Sequence, residues 1–222
     1  PGVRPGRRPK DAVDMRAQAE PPVLRGGVAH RISQLGAAEW NGLARDRHPF
    51  MRHEFLAALE GTECIGPGTG WEGCYVLLRD AQGLAAAAPG FIKSHSYGEF
   101  VFDFSWAQAY ARVGRPYYPK LVVAAPFTPA TGPRLLVRPD LDHDVIAPAL
   151  ARTLAALASD NELSSVHVLF PEAGDRALLE QQGWLLRRDC QFHWTNHGYA
   201  DFDAFLATFT ADKRKKAKRE RR

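Results

Sequence analysis

Apolar positions along this chain fall into two rhythms, one of about two residues and one of about four. The period-two stretches predict strands. They cover Val28–Leu35, the antiparallel pair Trp71–Arg79 and Gly83–His95 around an Asp80–Gly83 turn, Ser164–Phe170, and a last strand over Trp184–Trp194. The longer rhythm predicts helices over Ala37–Arg45 and over His48–Glu60, where Phe50, Phe55 and Leu59 share a stripe behind Pro49. A short helix is expected over Ala107–Val113. Another runs from the caps offered by Asp140, Asp142 and Asp144 to Ser159, burying Ile146, Leu150, Leu154 and Leu157; a third spans Pro171–Gln182 before Gly183.

The sharpest change of pattern follows Leu121–Ala125, an unbroken apolar run short enough for a strand buried on both faces. Pro126, Pro129 and Pro133 come next, with Thr128, Thr131 and Gly132 between them. Prolines remove backbone donors and exclude both a ladder partner and a helix. A central strand with a stiff, polar exit that opens onto a binding pocket is the expectation; a rigid turn is the competing one. The order of elements, antiparallel strands first and then β–α–β–α–β, gives an α/β layout around one mixed sheet.

Composition sharpens the organisation. Of 222 residues, 45% are hydrophobic, enough for a sizeable core, and no apolar run approaches the roughly 20 residues of a membrane span. Three cysteines without a CxxC pair fit a reducing compartment, so a cytoplasmic location is expected. The net charge is +4, but residues 213–222, KRKKAKRERR, carry +7, leaving −3 for residues 1–212. The body is therefore mildly acidic, and whole-surface nucleic-acid binding is disfavoured. Residues 1–22, rich in Pro, Gly, Arg and Ala, are expected to be disordered. The folded domain is expected over 23–198, and a linker helix over 199–222 starts near Asp201 with Phe202, Phe205, Leu206 and Phe209 on one face.

Candidate chemistry gathers around SYGEFVFDFSW, residues 96–106. Tyr97, Glu99 and Asp103 occupy alternate positions, so an extended segment places them on one face, away from Phe100 and Phe102. Glu99 and Asp103 are candidate general bases, and Tyr118, next to Tyr117, a candidate acid for a leaving group. His95 and Tyr97 are candidates for orienting a substrate. Lys120 and Arg134, with Lys93, flank the key strands and suit an anionic substrate; Thr128, Thr131 and Gly132 complete the candidate binding set. The competing reading for each is a solvated polar face. His193 and His197 have HxxxH spacing but lack the Glu of HExxH, so no metal is expected.

The blocks HPFMRHEFLAALE, KSHSYGEFVFD, YYPKLVVAAPFTPATGPRLL, SSVHVLFP, QFHWTNHGYADFDAFLA and KRKKAKRERR occur in order from about residue 30 to the end. Together they resemble the bacterial FemAB-like proteins of peptidoglycan biosynthesis or recognition, within the GNAT acyltransferase superfamily. The resemblance implies a GNAT-like mixed sheet flanked by helices, followed by the start of an interdomain helix. It implies acetyl or aminoacyl transfer to an amine on a peptidoglycan precursor or other acceptor, with acyl-CoA or aminoacyl-tRNA as donor. It also implies a second GNAT-like half beyond residue 222 that would hold most of the donor, leaving these residues inactive alone. The pyrophosphate loop usual in GNAT domains, Gln/Arg-x-x-Gly-x-Gly/Ala, is absent after Ala125, where TPATGPRLLV stands. RNA contact through the basic run 213–222 follows for relatives that use aminoacyl-tRNA. A non-catalytic module that recognises wall peptides or a protein partner is the alternative.

Overall fold

A computed structural model describes residues 22–44 and 48–221. The segment expected to be disordered, residues 1–22, lies almost wholly outside the described residues. The chain divides into two compact units at Leu186/Arg187, ahead of the boundary expected near residue 198.

The first unit holds two four-stranded sheets rather than one. The first contains β1 (Arg25–Ala29), β3 (Tyr75–Asp80), β4 (Gly83–Ala88) and β7 (Leu136–Val137), in that order. The second contains β2 (Trp71–Gly73), β5 (Gly90–Lys93), β6 (Lys120–Val123) and β8 (Val166–Val168), also in that order. The break between them follows from Pro89, which separates β4 from β5 and has no N–H to carry one ladder through. Its mate is Cys74, between β2 and β3, whose N–H bonds to Gly90 O at 2.9 Å.

The Leu121–Ala125 run behaves as its pattern requires. β6 lies inside its sheet, antiparallel to β5 and parallel to β8. Parallel neighbours need a long crossover, and α4 (His143–Asp160) lies within it. Helices cover both faces. Tyr75, Leu77, Phe91 and Val122 join Trp40 of α1 (Ala37–Ala44) and Leu56 of α2 (His53–Gly61) in one core. The alternate residues Val76, Leu78, Leu121 and Val123 pack with Ile146, Leu150 and Leu154 of α4 and with Leu178 and Leu179 of α5 (Ala173–Gln181) in the other.

Several elements shift from their expected places. Two 3-10 turns, Ile32–Gln34 and Pro49–Met51, replace the end of the first predicted strand and the start of the second predicted helix. α3 (Phe104–Arg112) begins earlier than expected and buries none of its residues. The predicted strand over Trp184–Trp194 does not form; among the described residues it has no ladder partner, without which a lone strand is not stable. In the second unit, α6 (Phe202–Ala207) is capped by Asp201, whose carboxylate accepts from Ala204 N at 2.7 Å. Its Phe205 packs edge-on against Trp194 and Tyr199. The basic run forms α7 (Ala211–Glu220), in which Arg214 folds back onto the Leu206 carbonyl at 3.1 Å.

Candidate active site

Lys93 ends β5 and Lys120 begins β6, and the two are direct partners in the antiparallel ladder. Both side chains therefore leave the same face, and both residues are fully buried. Two like charges so placed need counter-charges. These come from the strap joining β5 to α3, residues 94–103. Lys120 Nζ donates to Ser96 Oγ at 3.0 Å, Glu99 Oε2 at 2.9 Å and Asp103 Oδ2 at 2.6 Å, which engages all three of its protons. The Tyr117 hydroxyl donates to Asp103 Oδ2 at 2.7 Å, and the Tyr118 hydroxyl lies 2.8 Å from Ser96 Oγ. Lys93 Nζ donates to Tyr97 O at 3.3 Å and stands 3.7 Å above the centre of the Trp71 ring. Glu99 Oε1 and Asp103 Oδ1 are buried and have no hydrogen-bond partner among the described residues.

The carboxylates and lysines of this box are tuned apart. Burial raises the Glu99 carboxyl above its ordinary range, with the Asp103 charge adding to the rise and Lys120 opposing it. Burial also pushes the Asp103 carboxyl up, but its hydrogen bonds, that from Lys120 foremost, outweigh this and hold it below the ordinary value. Burial lowers Lys93 to about 7, against the pull of Glu99. Of the two candidate bases, Glu99 is therefore the one closer to taking up a proton at neutral pH.

The strap keeps Glu99 and Asp103 on the side away from Phe100 and Phe102, as expected, but Tyr97 departs from the expected alternation. Glu99 and Asp103 are 3% and 0% exposed, while Tyr97, Phe100 and Phe102 are 70%, 52% and 71% exposed. The segment is not extended, because Gly98 (φ +80°) and Phe100 (φ +58°) adopt left-handed backbone and reset which side each residue faces. A Cβ on Gly98 would lie 2.6 Å from the Phe127 ring, so glycine is required there twice over. Tyr97 consequently contributes its carbonyl to the box and not its ring. His95 is also outside it: its Nε2 lies 3.1 Å from Thr69 O and its Nδ1 accepts from Tyr97 N at 3.2 Å. Both of its ring nitrogens are thereby paired with backbone.

The second half of the expected site does not open onto a pocket. Arg134 is fully buried, and its guanidinium donates to Leu169 O at 2.8 Å, Pro133 O at 2.9 Å and Ala130 O at 2.6 Å. Burial lowers its pKa to about 10. It closes its own loop and is not available to an anionic substrate. Gly132 pairs with the Phe170–Glu172 segment, donating to Phe170 O at 3.1 Å and accepting from Glu172 N at 2.9 Å. Its missing Cβ is where the His48 ring packs, 2.1 Å away, so the exit from the central strand is filled. Thr131 gives its carbonyl to His48 Nε2 at 3.2 Å, and the Thr128 hydroxyl donates to Pro126 O at 3.0 Å. Both close the turn.

Residues without a marked sequence signal complete the two clusters. Ser96 links Lys120 to Tyr118. Asp175, buried in α5, accepts from Arg134 N at 2.6 Å and Leu135 N at 3.0 Å, with His143 Nε2 3.3 Å from its other oxygen. The N-terminus of α4 is ringed by Asp140, Asp142 and Asp144, and Asp142 caps it by accepting from Asp144 N at 2.9 Å. Asp142 and Asp144 at this end, with Asp140 paired to Arg138 at 2.7 Å, disfavour the pyrophosphate of an acyl-CoA, which helix N-termini otherwise attract. Among the described residues no group of three or more His, Cys, Asp or Glu could hold a metal ion, and no helix is long and apolar enough to cross a membrane.

Helices on both faces of a mixed sheet, with β6 and β8 parallel across α4, define an α/β domain of the layout expected for a GNAT-like fold. Residues 31–222 match the model of the FemAB-like family, described as peptidoglycan biosynthesis/recognition. The chain belongs to that family. Among solved structures it is similar to the aminoglycoside N-acetyltransferase AAC(6')-Iy in complex with CoA, at 11% identity and a TM-score of 0.48, over 79% of this chain and 96% of that one. It is similar to a ribosomal-protein-alanine N-acetyltransferase from Brucella melitensis biovar Abortus 2308, at 14% identity and a TM-score of 0.46, over 78% of this chain and 99% of that one. A third likeness is to the aminoglycoside 6'-N-acetyltransferase AAC(6')-Ih from Acinetobacter baumannii, at 14% identity and a TM-score of 0.45, over 79% and 100% of the two chains. These likenesses are too distant to assign an activity. Curated proteins gave no match.

Proposed function

We propose that this chain is the acceptor-handling domain of a FemAB-like N-acyltransferase, acting in the cytoplasm on an amine of a peptidoglycan-related peptide. The observation that carries the reading is the box at the β5–β6 end, where Lys93, Lys120, Glu99 and Asp103 meet beside two tyrosine hydroxyls in a chain of this family. Transfer to an amine needs a group that removes its proton and one that protonates the leaving atom. Glu99, raised by burial, fits the first role once it leaves Lys120. Tyr118, joined to Lys120 through Ser96, fits the second. The donor is an acyl-CoA or an aminoacyl-tRNA. The acidic ring at α4 argues against seating its phosphates there, and RNA contact would fall to the cationic face of α7.

One observation favours a second reading, a recognition module without turnover: both candidate bases are buried and ion-paired to the same lysine. The assay that separates the two uses the natural protein that carries this domain, together with any donor-holding half, offers a muramyl tripeptide ending in lysine with acetyl-CoA or an aminoacyl-tRNA, and follows the peptide mass. An N-acylated product that disappears in Glu99→Gln supports transfer. Peptide binding without product from either donor overturns transfer and leaves recognition.

A further inference from the structure

The lysine pair is closed over by a segment with little apolar burial of its own to hold it. The strap from residue 94 to residue 103 has no regular secondary structure. Its two carboxylates face inward, and each leaves one buried oxygen without a partner among the described residues. Two of its aromatic rings are largely solvent-facing: Tyr97 and Phe100 are 70% and 52% exposed. A buried acceptor without a donor has lost its hydration with nothing in return, so the closed arrangement is imperfectly satisfied. The strap's carboxylates are held by ion pairs to Lys120, which another carboxylate can make equally well, while Trp71 Nε1 donates to Tyr97 O at 3.0 Å.

We infer that Lys93 and Lys120 form a carboxylate-binding site for the acceptor peptide, and that Glu99 occupies this site as an internal place-holder which the ligand displaces. The exchange conserves charge. One carboxyl leaves the box and the ligand's takes its place on Lys120. The vacancy left by Glu99 is that of one planar, singly charged group on Lys120, with Lys93 directly across the ladder, which suits a peptide carboxylate better than a phosphate. Lys93, now bound only by the Tyr97 carbonyl and the Trp71 ring, gains a counter-ion within reach. Asp103 stays, because Tyr117 as well as Lys120 holds it. The strap then moves outward with Glu99 and exposes the lysine pair to the entering peptide. This inference rests on the acceptor reading above for the class of ligand, but its test does not depend on turnover.

The probe is N-acetylmuramyl-L-alanyl-D-isoglutamine, which carries one free carboxylate, and the control is its methyl ester. Calorimetry on the full chain is expected to show binding of the acid and at least tenfold weaker binding of the ester. Lys93→Met should weaken the acid by about tenfold or more, while Glu99→Gln, which removes the competing charge and so raises the open fraction, should tighten it by about tenfold. If Lys93→Met fails to fold, chymotryptic cleavage of the wild-type chain at Phe100 and Phe102 gives the answer instead, since the acid and not the ester should accelerate it. Equal binding of acid and ester, unchanged affinity in Lys93→Met, weaker affinity in Glu99→Gln, or cleavage that the acid does not accelerate overturns the inference. Carboxylate-dependent binding without acyl transfer leaves this site standing and removes the transferase reading; acyl transfer without carboxylate dependence does the reverse.

Discussion

Two buried cations lie close to the two ends of the same central stretch, and they are satisfied in opposite ways. Arg134, beyond the end of β6, gives its guanidinium to three backbone carbonyls of the loops around it, while a buried Asp175 holds its own N–H and that of Leu135. Lys120, at the start of β6, gives its protons to three side-chain oxygens on the strap. Backbone carbonyls do not titrate and can leave only if the fold leaves with them. Side-chain carboxylates on an irregular segment titrate and can be exchanged for those of a ligand. The first arrangement is a structural knot and the second is the exchangeable kind that the proposed site requires, although the sequence offered both residues as substrate ligands on equal terms.

Removal of each cation tests the contrast most strongly. Lys120→Met leaves Glu99 and Asp103 buried without their partner and should cost about 3–5 kcal/mol near neutral pH. The cost should shrink towards pH 5, as the two carboxyls take up protons. Arg134→Met orphans three carbonyls and should cost about 3 kcal/mol, the low end of roughly 1–3 for each, and the cost should be nearly flat over the same range. Urea melts at pH 5 and pH 8 read both; equal pH dependence in the two variants would erase the distinction. Gly132→Ala sharpens the knot side: its new Cβ meets the His48 ring, and overpacking of this kind costs about 1–3 kcal/mol. Circular-dichroism melting should show the loss, with strap proteolysis unchanged.

Glu99→Gln sharpens the site side by its smallness. The Glu99 carboxyl is already raised by burial, and the amide can still accept from Lys120, so stability should change by about 1 kcal/mol or less. The weakest effect belongs to the His143–Asp175 pair. The hydrogen bond to Asp175, more than burial opposes it, raises the His143 pKa above its unfolded value. Its stabilisation is therefore fully present below about pH 6.5 and lost as pH rises through the folded value. His143 is two-fifths exposed, so after solvent screening the effect stays under about 1 kcal/mol, and His143→Asn should remove that slope from the stability profile.

Where local pattern decided the structure, the sequence was readable. The apolar run at Leu121–Val123 does form an interior strand, and the helical stripe through Ile146, Leu150 and Leu154 is buried. The grouping of Glu99 and Asp103 with Lys120 could also be anticipated from their types, because unpaired charges of opposite sign near one strand end tend to meet. Three features were out of reach. Period-two logic grouped Tyr97 with Glu99 and Asp103, but two left-handed residues, one of them a phenylalanine, leave its ring exposed while the two carboxyls are buried. The split at Pro89 depends on a ladder between segments far apart in sequence. The Trp184–Trp194 stretch shows strand alternation, but a strand also needs a neighbour to pair with, and alternation cannot report that.

The central claim is that the strap is a labile closure and the Arg134 loop a fixed one, and amide hydrogen exchange of the ligand-free chain tests it directly. Exchange at residues 97–103 is expected to proceed by local opening, at least a hundredfold faster than at Arg134 and Leu135, whose N–H groups are held by Asp175 (about 2.7 kcal/mol between the two opening energies). Equal protection of the two segments, with the strap opening only on global unfolding, would contradict the account.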